Sequence, residues 1–372
     1  MGIGFRTEPL MNMNMITSTT GTNSIDNSGA KPQRRLSNIE LLRITAMVMV
    51  MLYHVFPGTI GFSYERIHDY PVDSVIGFGI ESLSVVCVDV FVFISGWFGI
   101  RVNTRKLLEL CFQTLFFAVL VYAVLLAIAP EKYLHWDAAS TLLCLHADDY
   151  WFVKAYIGLM IFAPVLNAFL EHTTEKSLRW VLIAFYCFQT LYGWLSINGV
   201  SWIAGGYSCF SFIGFYLLAH YVRHFMPVIQ HTNKYVWLAL YLLIAFGQML
   251  LASLLTWWNI PVAGRLFTYT NPLVILQTVA LFLFFRQLKF ESNLINHIAK
   301  GSLAVYLLHV HPLVLHDYYG RWVFDLYQSE HRLTFTVALV TLMIGIFALA
   351  VLLDGIRRRL SSLLIGRFAP KT

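Results

Sequence analysis

Charge is what this chain of 372 residues has least of: Asp, Glu, Lys and Arg make up 12% of it, about half the share a soluble domain uses to cover its surface. Set beside 58% hydrophobic and 16% aromatic residues and a mean hydropathy of +0.65, that shortage points to lipid as the solvent. It excludes a soluble enzyme, a nucleic-acid-binding module and a secreted disulfide scaffold. Cysteine is sparse as well. The five residues (Cys87, Cys111, Cys144, Cys187, Cys209) are odd in number and show no Cys-x-x-Cys spacing, so neither a disulfide framework nor a zinc site is indicated. The chain also lacks an H-E-x-x-H helix, a Walker A loop, a G-x-S-x-G elbow and a G-x-G-x-x-G fingerprint. Their absence removes the commonest motif-based reaction classes. No repeat at a period of roughly 20–50 residues is visible. The net charge of +6 calls for no nucleic acid, because Lys and Arg kept on the cytoplasmic side of a membrane protein give the same excess.

What is present is length in apolar runs. Residues 1–35, rich in Met, Asn, Ser, Thr and Gly, cannot bury enough apolar surface to order themselves and read as a disordered cytoplasmic tail. From residue 36 onward, ten apolar stretches lie near 37–57, 75–100, 106–129, 150–170, 178–197, 206–222, 235–257, 270–288, 301–318 and 332–353. Each is long enough to cross a hydrocarbon core of ~30 Å as a helix. The expectation is an all-α polytopic bundle of about ten transmembrane helices over 36–356, followed by a basic cytoplasmic tail, 357–372. With the N-terminus inside, eighteen Lys and Arg fall in cytoplasmic segments and five in outer ones. That asymmetry predicts that both termini are cytoplasmic, in a multi-pass protein of the cell (cytoplasmic or inner) membrane.

Ionisable side chains at membrane depth cost several kcal/mol unless they are paired or hydrated, so each is a candidate for function. In the first helix Arg43 and His54 are eleven positions apart, which brings them within about 20° of one face and ~16 Å apart along the axis. In the second, Glu81 falls near the depth of His54 and Asp89 near that of Arg43. Two opposite-charge pairs stacked on one seam would make both burials tolerable, and a carboxylate beside His54 would raise its basicity for work as a general base. Lys154 reads as a snorkelling residue. His309 and His311 are two apart in a helix and point to different faces, so no metal site is expected from them.

The stretch N-I-E-L-L-R-I-T-A-M-V-M-V-M-L-Y-H, residues 38–54, resembles the opening helix of the integral-membrane acyltransferase 3 family, whose Arg-x10-His pattern is met by Arg43 and His54. V-D-V-F-V-F-I-S-G-W-F, residues 88–98, is similar to that family's second-helix signature, with Asp89, Ser95 and Gly96 matching and Cys87 standing where a Gly is usual. Arg101 and Arg105 follow where members carry basic residues. Y-W-F-V at 150–153 and G-S-L-A-V-Y-L-L-H-V-H-P at 301–312, with Ser302, Tyr306, His309 and Pro312, resemble later family segments. The resemblance implies transfer of an acyl group, usually acetyl, from cytoplasmic acetyl-CoA or another acyl-CoA to a hydroxyl of a cell-surface or lipid-linked carbohydrate. No cofactor is expected to stay bound. On that reading His54 and Glu81 are catalytic. Arg101, Arg105 and Lys106 hold the nucleotide phosphates, Arg43 flanks the pantetheine arm, and Asp89, Ser95, Tyr306 and His309 line or support the site.

Direct transfer and an acyl-His intermediate both stay open, as does hand-over of the acyl group to a separate extracytoplasmic partner. A second class of function also fits buried charges in a polytopic bundle, namely transport of a polysaccharide, a lipid-linked sugar or a small anion. The two differ in whether the substrate changes covalently or only in location.

Overall fold

The computed structural model describes residues 35–56, 66–101, 103–144, 146, 149–196, 200–329 and 331–368. Among these it is all helical, with no strand. The helices are α1 (Ser37–Val55), α2 (Pro71–Ser84), α3 (Cys87–Phe98), α4 (Thr104–Ile128), α5 (Trp151–His172), α6 (Glu175–Phe188) and α7 (Cys209–Phe225). They continue with α8 (Lys234–Trp257), α9 (Pro272–Arg286), α10 (Asn293–Ala299), α11 (Ser302–His309), α12 (Arg321–Ser329) and α13 (Arg332–Phe368). Several starts are written locally. Asn103, Thr174, Ser208, Asn233, Asn271 and Ser292 each accept a backbone N–H from the first turn of the helix they open, which satisfies a donor that has no partner inside the helix. The expected tail, 1–35, lies outside the described residues except for Arg35.

Seven of these elements are long and apolar enough to cross a membrane: α1, α2 and α3 as one run of 28 residues, α4, α5, α8, the run Ala263–Arg286 that ends in α9, and α13. An eighth results if Asn293–His309 and Pro312–Gln328, bent by 61°, form one broken span. Two of the ten expected spans come out shorter, because α6 has 14 residues and α7 has 17. α6 runs on through a π-helical turn, Gln189–Trp194, around the buried Gln189.

α1 stands in the middle of the bundle and packs on α3, α2, α10, α11 and α9. α3 lies almost backbone to backbone with α7: a Cβ added at Gly96 would fall 2.6 Å from the carbonyl oxygen of Tyr216 and 2.7 Å from its Cα. Gly301, between α10 and α11, is pressed as closely on Val351 of α13. These contacts hold α3 close to α7 and the start of α11 close to α13, while both α3 and α11 pack on α1.

α13 runs through residue 357, where the basic tail is expected to begin. It remains helical to Phe368, since Asp354 binds Arg357 at 2.9 Å and Arg358 at 3.0 Å, one turn later on the same helix, and accepts Nε2–H of Gln113 from α4 at 3.1 Å. Asp354 is wholly buried and Arg357 is 2% exposed. Asp354→Leu therefore leaves an uncompensated buried guanidinium and is expected to cost about 3–5 kcal/mol. Thermal unfolding of the detergent-solubilised variant against the wild type measures the loss.

Candidate active site

Residues 43, 47, 50 and 54 recur at i, i+4, i+7 and i+11, which is one face of α1. That face, carrying Arg43, Met47, Val50 and His54, forms one wall of a cavity of about 80 Å³. α3 supplies Cys87, Val88, Phe91 and Ser95, and α5 supplies Trp151, Phe152 and Tyr156. The remaining wall is the α10–α11 segment with Ala299, Lys300, Ser302, Leu303 and Tyr306, closed by Tyr207 and Tyr269. The cavity is polar at its two ends and apolar between them. At one end lie Arg43, Lys300 and Ser302. At the other lie His54 and an aromatic group in which Trp151 and Tyr207 are 4.5 Å apart, Tyr207 and Tyr269 4.9 Å, and Tyr53 and Tyr269 6.4 Å.

His54 takes His309 as its neighbour in the place expected of Glu81. Nδ1 of His54 is 3.2 Å from Nε2 of His309, while Nδ1 of His309 is 2.6 Å from the carbonyl oxygen of Val305. A ring nitrogen that close to a carbonyl carries the hydrogen, so His309 Nδ1–H donates to Val305. Nε2 of the neutral His309 is then an acceptor, His54 Nδ1–H donates to it, and Nε2 of His54 carries the basic lone pair. A backbone carbonyl one turn down α11 thus sets the tautomer of a histidine on α1. Tyr319 steadies the pair from the side, with its ring 5.6 Å from that of His309 and its hydroxyl donating to Met51 O at 3.1 Å.

The other expected pair is also replaced. Arg43 is bound by Glu40, three positions earlier on its own helix, and Arg35 reaches the same carboxylate at 3.3 Å. An acid at i−3 is always within reach on a helix, whereas Asp89 would have to be placed there by tertiary packing. Asp89 is 1% exposed and its Oδ2 has no hydrogen-bond partner among the described residues. Its electrostatic neighbours are Cys87, Tyr186 and Tyr269. Glu81 is buried on α2, with Tyr53 and Tyr207 as the groups that sense its charge. Ser95 lines the cavity, its hydroxyl donating to Phe91 O at 2.9 Å and lying 3.2 Å from the Tyr156 hydroxyl. Arg101, Arg105 and Lys106 are absent from the cavity wall. Arg105 is bound to Glu109 at 2.9 Å, and Lys106 Nζ–H donates back to Arg101 O at 3.2 Å.

Three buried donors in the wall, Nε of Arg43, Oγ of Ser302 and the Tyr306 hydroxyl, have no side-chain hydrogen-bond partner among the described residues. They can serve the amide or thioester carbonyls of an extended ligand in a setting where an unmade hydrogen bond is costly. The cavity therefore offers a positive end, carbonyl-binding donors along an apolar passage, and a base with a fixed tautomer. The family model Acyl_transf_3, described as an acyltransferase domain, matches residues 36–355. The chain belongs to this acyltransferase family. No curated protein and no solved structure matches it.

In this membrane acyltransferase, inspection of the sequence missed Glu40 as the partner of Arg43, although the i−3 spacing could have shown it. It also missed Lys300, Tyr207 and Tyr269, whose positions in sequence bear no periodic relation to α1, and Tyr53, which lies on α1 itself three positions after Val50. His311 turns away from the cavity: its Nδ1 accepts Leu313 N–H at 3.2 Å and its ring lies 6.0 Å from that of Tyr150. Because His309 acts on His54 through one accepted hydrogen bond, His309→Ala is expected to lower kcat by about tenfold with little change in KM. His309→Gln, whose side-chain carbonyl can accept the same N–H, should recover part of the loss. Steady-state kinetics on the purified variants reads the difference.

Proposed function

We propose that this acyltransferase moves an acyl group, most simply acetyl, from cytoplasmic acyl-CoA to a hydroxyl of an extracytoplasmic or lipid-linked carbohydrate. The observation that carries this reading is the single cavity that joins the cationic group at Arg43 and Lys300 to His54. Along α1 the two ends are ~16 Å apart, a span suited to an extended pantetheine arm. The charge asymmetry of the loops supports a cytoplasmic position for the cationic end.

On this reading the acyl-CoA thioester lies beside His54 and the acceptor sugar rests against Tyr53, Trp151, Tyr207 and Tyr269, whose faces suit the C–H surface of a pyranose. Glu81, which acts on Tyr53 and Tyr207 from α2, belongs to the acceptor side. Nε2 of His54 takes the proton of the acceptor hydroxyl as its oxygen attacks the thioester carbonyl. The C–O bond forms and the C–S bond breaks, and the imidazolium returns the proton to the departing CoA thiolate. Nδ1–H of His54 stays bonded to His309 throughout, so the ring cannot turn away or change tautomer. The ester and free CoA are the products, and no external oxidant or reductant is needed.

The test follows radiolabelled acetyl-CoA with purified protein and a carbohydrate acceptor extract. Wild type should release CoA and label the carbohydrate. His54→Ala should lower transfer on the order of 10²-fold or more while leaving donor affinity within about threefold. Near-normal transfer by folded His54→Ala would remove the base from the mechanism. Movement of carbohydrate across the membrane with no gain in mass would replace acyl transfer by transport.

A further inference from the structure

Resting on the acyl-CoA reading, we infer that the donor's phosphates are seated at the mouth of the cavity by Lys300, Arg35 and Arg358, next to Arg43, and not by the Arg101, Arg105 and Lys106 cluster. Lys300 lines the cavity itself. Its ammonium makes no hydrogen bond or ion pair among the described residues, and the charges it senses are those of Arg35, Arg358 and Glu40. The fold brings these groups together from three distant parts of the chain. Asn38 of α1 donates to Phe285 O at 3.2 Å and Arg286 O at 2.9 Å, and Ser37 Oγ accepts Ser292 N–H at 2.9 Å, so the start of α1 is fixed against the α9–α10 connection. Gly301, next to Lys300, lies against Val351, one turn before Asp354 and two before Arg358.

The charge balance at this mouth is uneven. Arg35, Arg43, Lys300, Arg357 and Arg358 face two acids: Glu40 is shared by Arg35 and Arg43, and Asp354 by Arg357 and Arg358. Among the described residues that is five cations to two acids, and Lys300 is the cation with no ion pair of its own. A pyrophosphate and a ribose phosphate would supply the missing negative charge through charge-assisted hydrogen bonds. Immediately inward wait the unpartnered Arg43 Nε and Ser302 Oγ, placed for the first polar groups of the arm that follows the phosphates. The alternative cluster is off this route: none of its three residues lines the cavity, and none is among the charges that act on Lys300, the cation that does line it, whereas Arg35 and Arg358 are.

The test measures binding of CoA and of 3′,5′-ADP, which has the phosphates without the arm, to full-length protein in phosphatidylcholine nanodiscs. Lys300→Glu should weaken both ligands about tenfold and Lys300→Gln about threefold, with unchanged melting temperatures, while Arg101→Glu and Arg105→Glu shift them less than twofold. The reverse ranking would overturn this seat and leave acyl transfer from CoA standing. A wild type that binds neither ligand would overturn both. If phosphatidylglycerol in the nanodisc abolishes CoA binding to the wild type, the cations serve a lipid headgroup and the inference falls.

Discussion

A charged side chain inside a bundle that faces hydrocarbon must bring its own partner, because the surroundings supply none. In this protein that constraint arranges the cationic end of the cavity. Arg43 could not be buried at 6% exposure without Glu40. Once Glu40 is held by both Arg43 and Arg35, the start of α1 is a compact ionic knot rather than a frayed end. Asp354 does the same for α13, gathering Arg357, Arg358 and Gln113. The close approach of Gly301 to Val351 brings the second knot near Lys300, which senses Arg35 and Glu40 of the first and Arg358 of the second. The local pairs thus satisfy burial and still leave a net positive field at one mouth of the cavity.

The opposite end of α1 solves a different problem. His54 needs a fixed tautomer to act as a base, and a second imidazole provides it more simply than a carboxylate would in so apolar a place. His309 is anchored to a carbonyl of its own helix, accepts one hydrogen bond and adds no buried charge. A carboxylate there would bring a desolvation penalty of several kcal/mol. Glu81 is kept one helix away, among tyrosines. The proposed mechanism thereby draws on two helices, α1 and α11, whose facing is fixed by packing.

Legibility in the sequence followed range. The helical character and the shared face of Arg43 and His54 depend on periodicity within one segment, and eleven positions at 100° each are readable without a structure. Family membership was legible because the matching stretches, 38–54, 88–98 and 301–312, stand in order over a long span. Partner identity was not legible. Glu81 and Asp89 were matched to His54 and Arg43 by counting depth from helix ends, and depth does not say which face a helix turns inward. The number of spans is fixed less firmly than their helical character: seven elements are long and apolar enough by themselves, while α6 and α7, expected as spans from composition, have 14 and 17 residues, α6 continuing through its π-helical turn. The arginines after 356, expected in a tail, lie on a helix, and their acid, Asp354, stands just before the apparent boundary.

The central claim is that one cavity carries the donor from a cationic mouth to His54. A cryo-electron microscopy structure of the protein with a non-hydrolysable acyl-CoA thioether tests it most directly. Density should run continuously from Lys300 past Arg43, with the acyl carbon within hydrogen-bonding reach of an acceptor site beside His54 Nε2. Density for the analogue that lies outside the cavity, with lipid or nothing between Arg43 and His54, would contradict the claim.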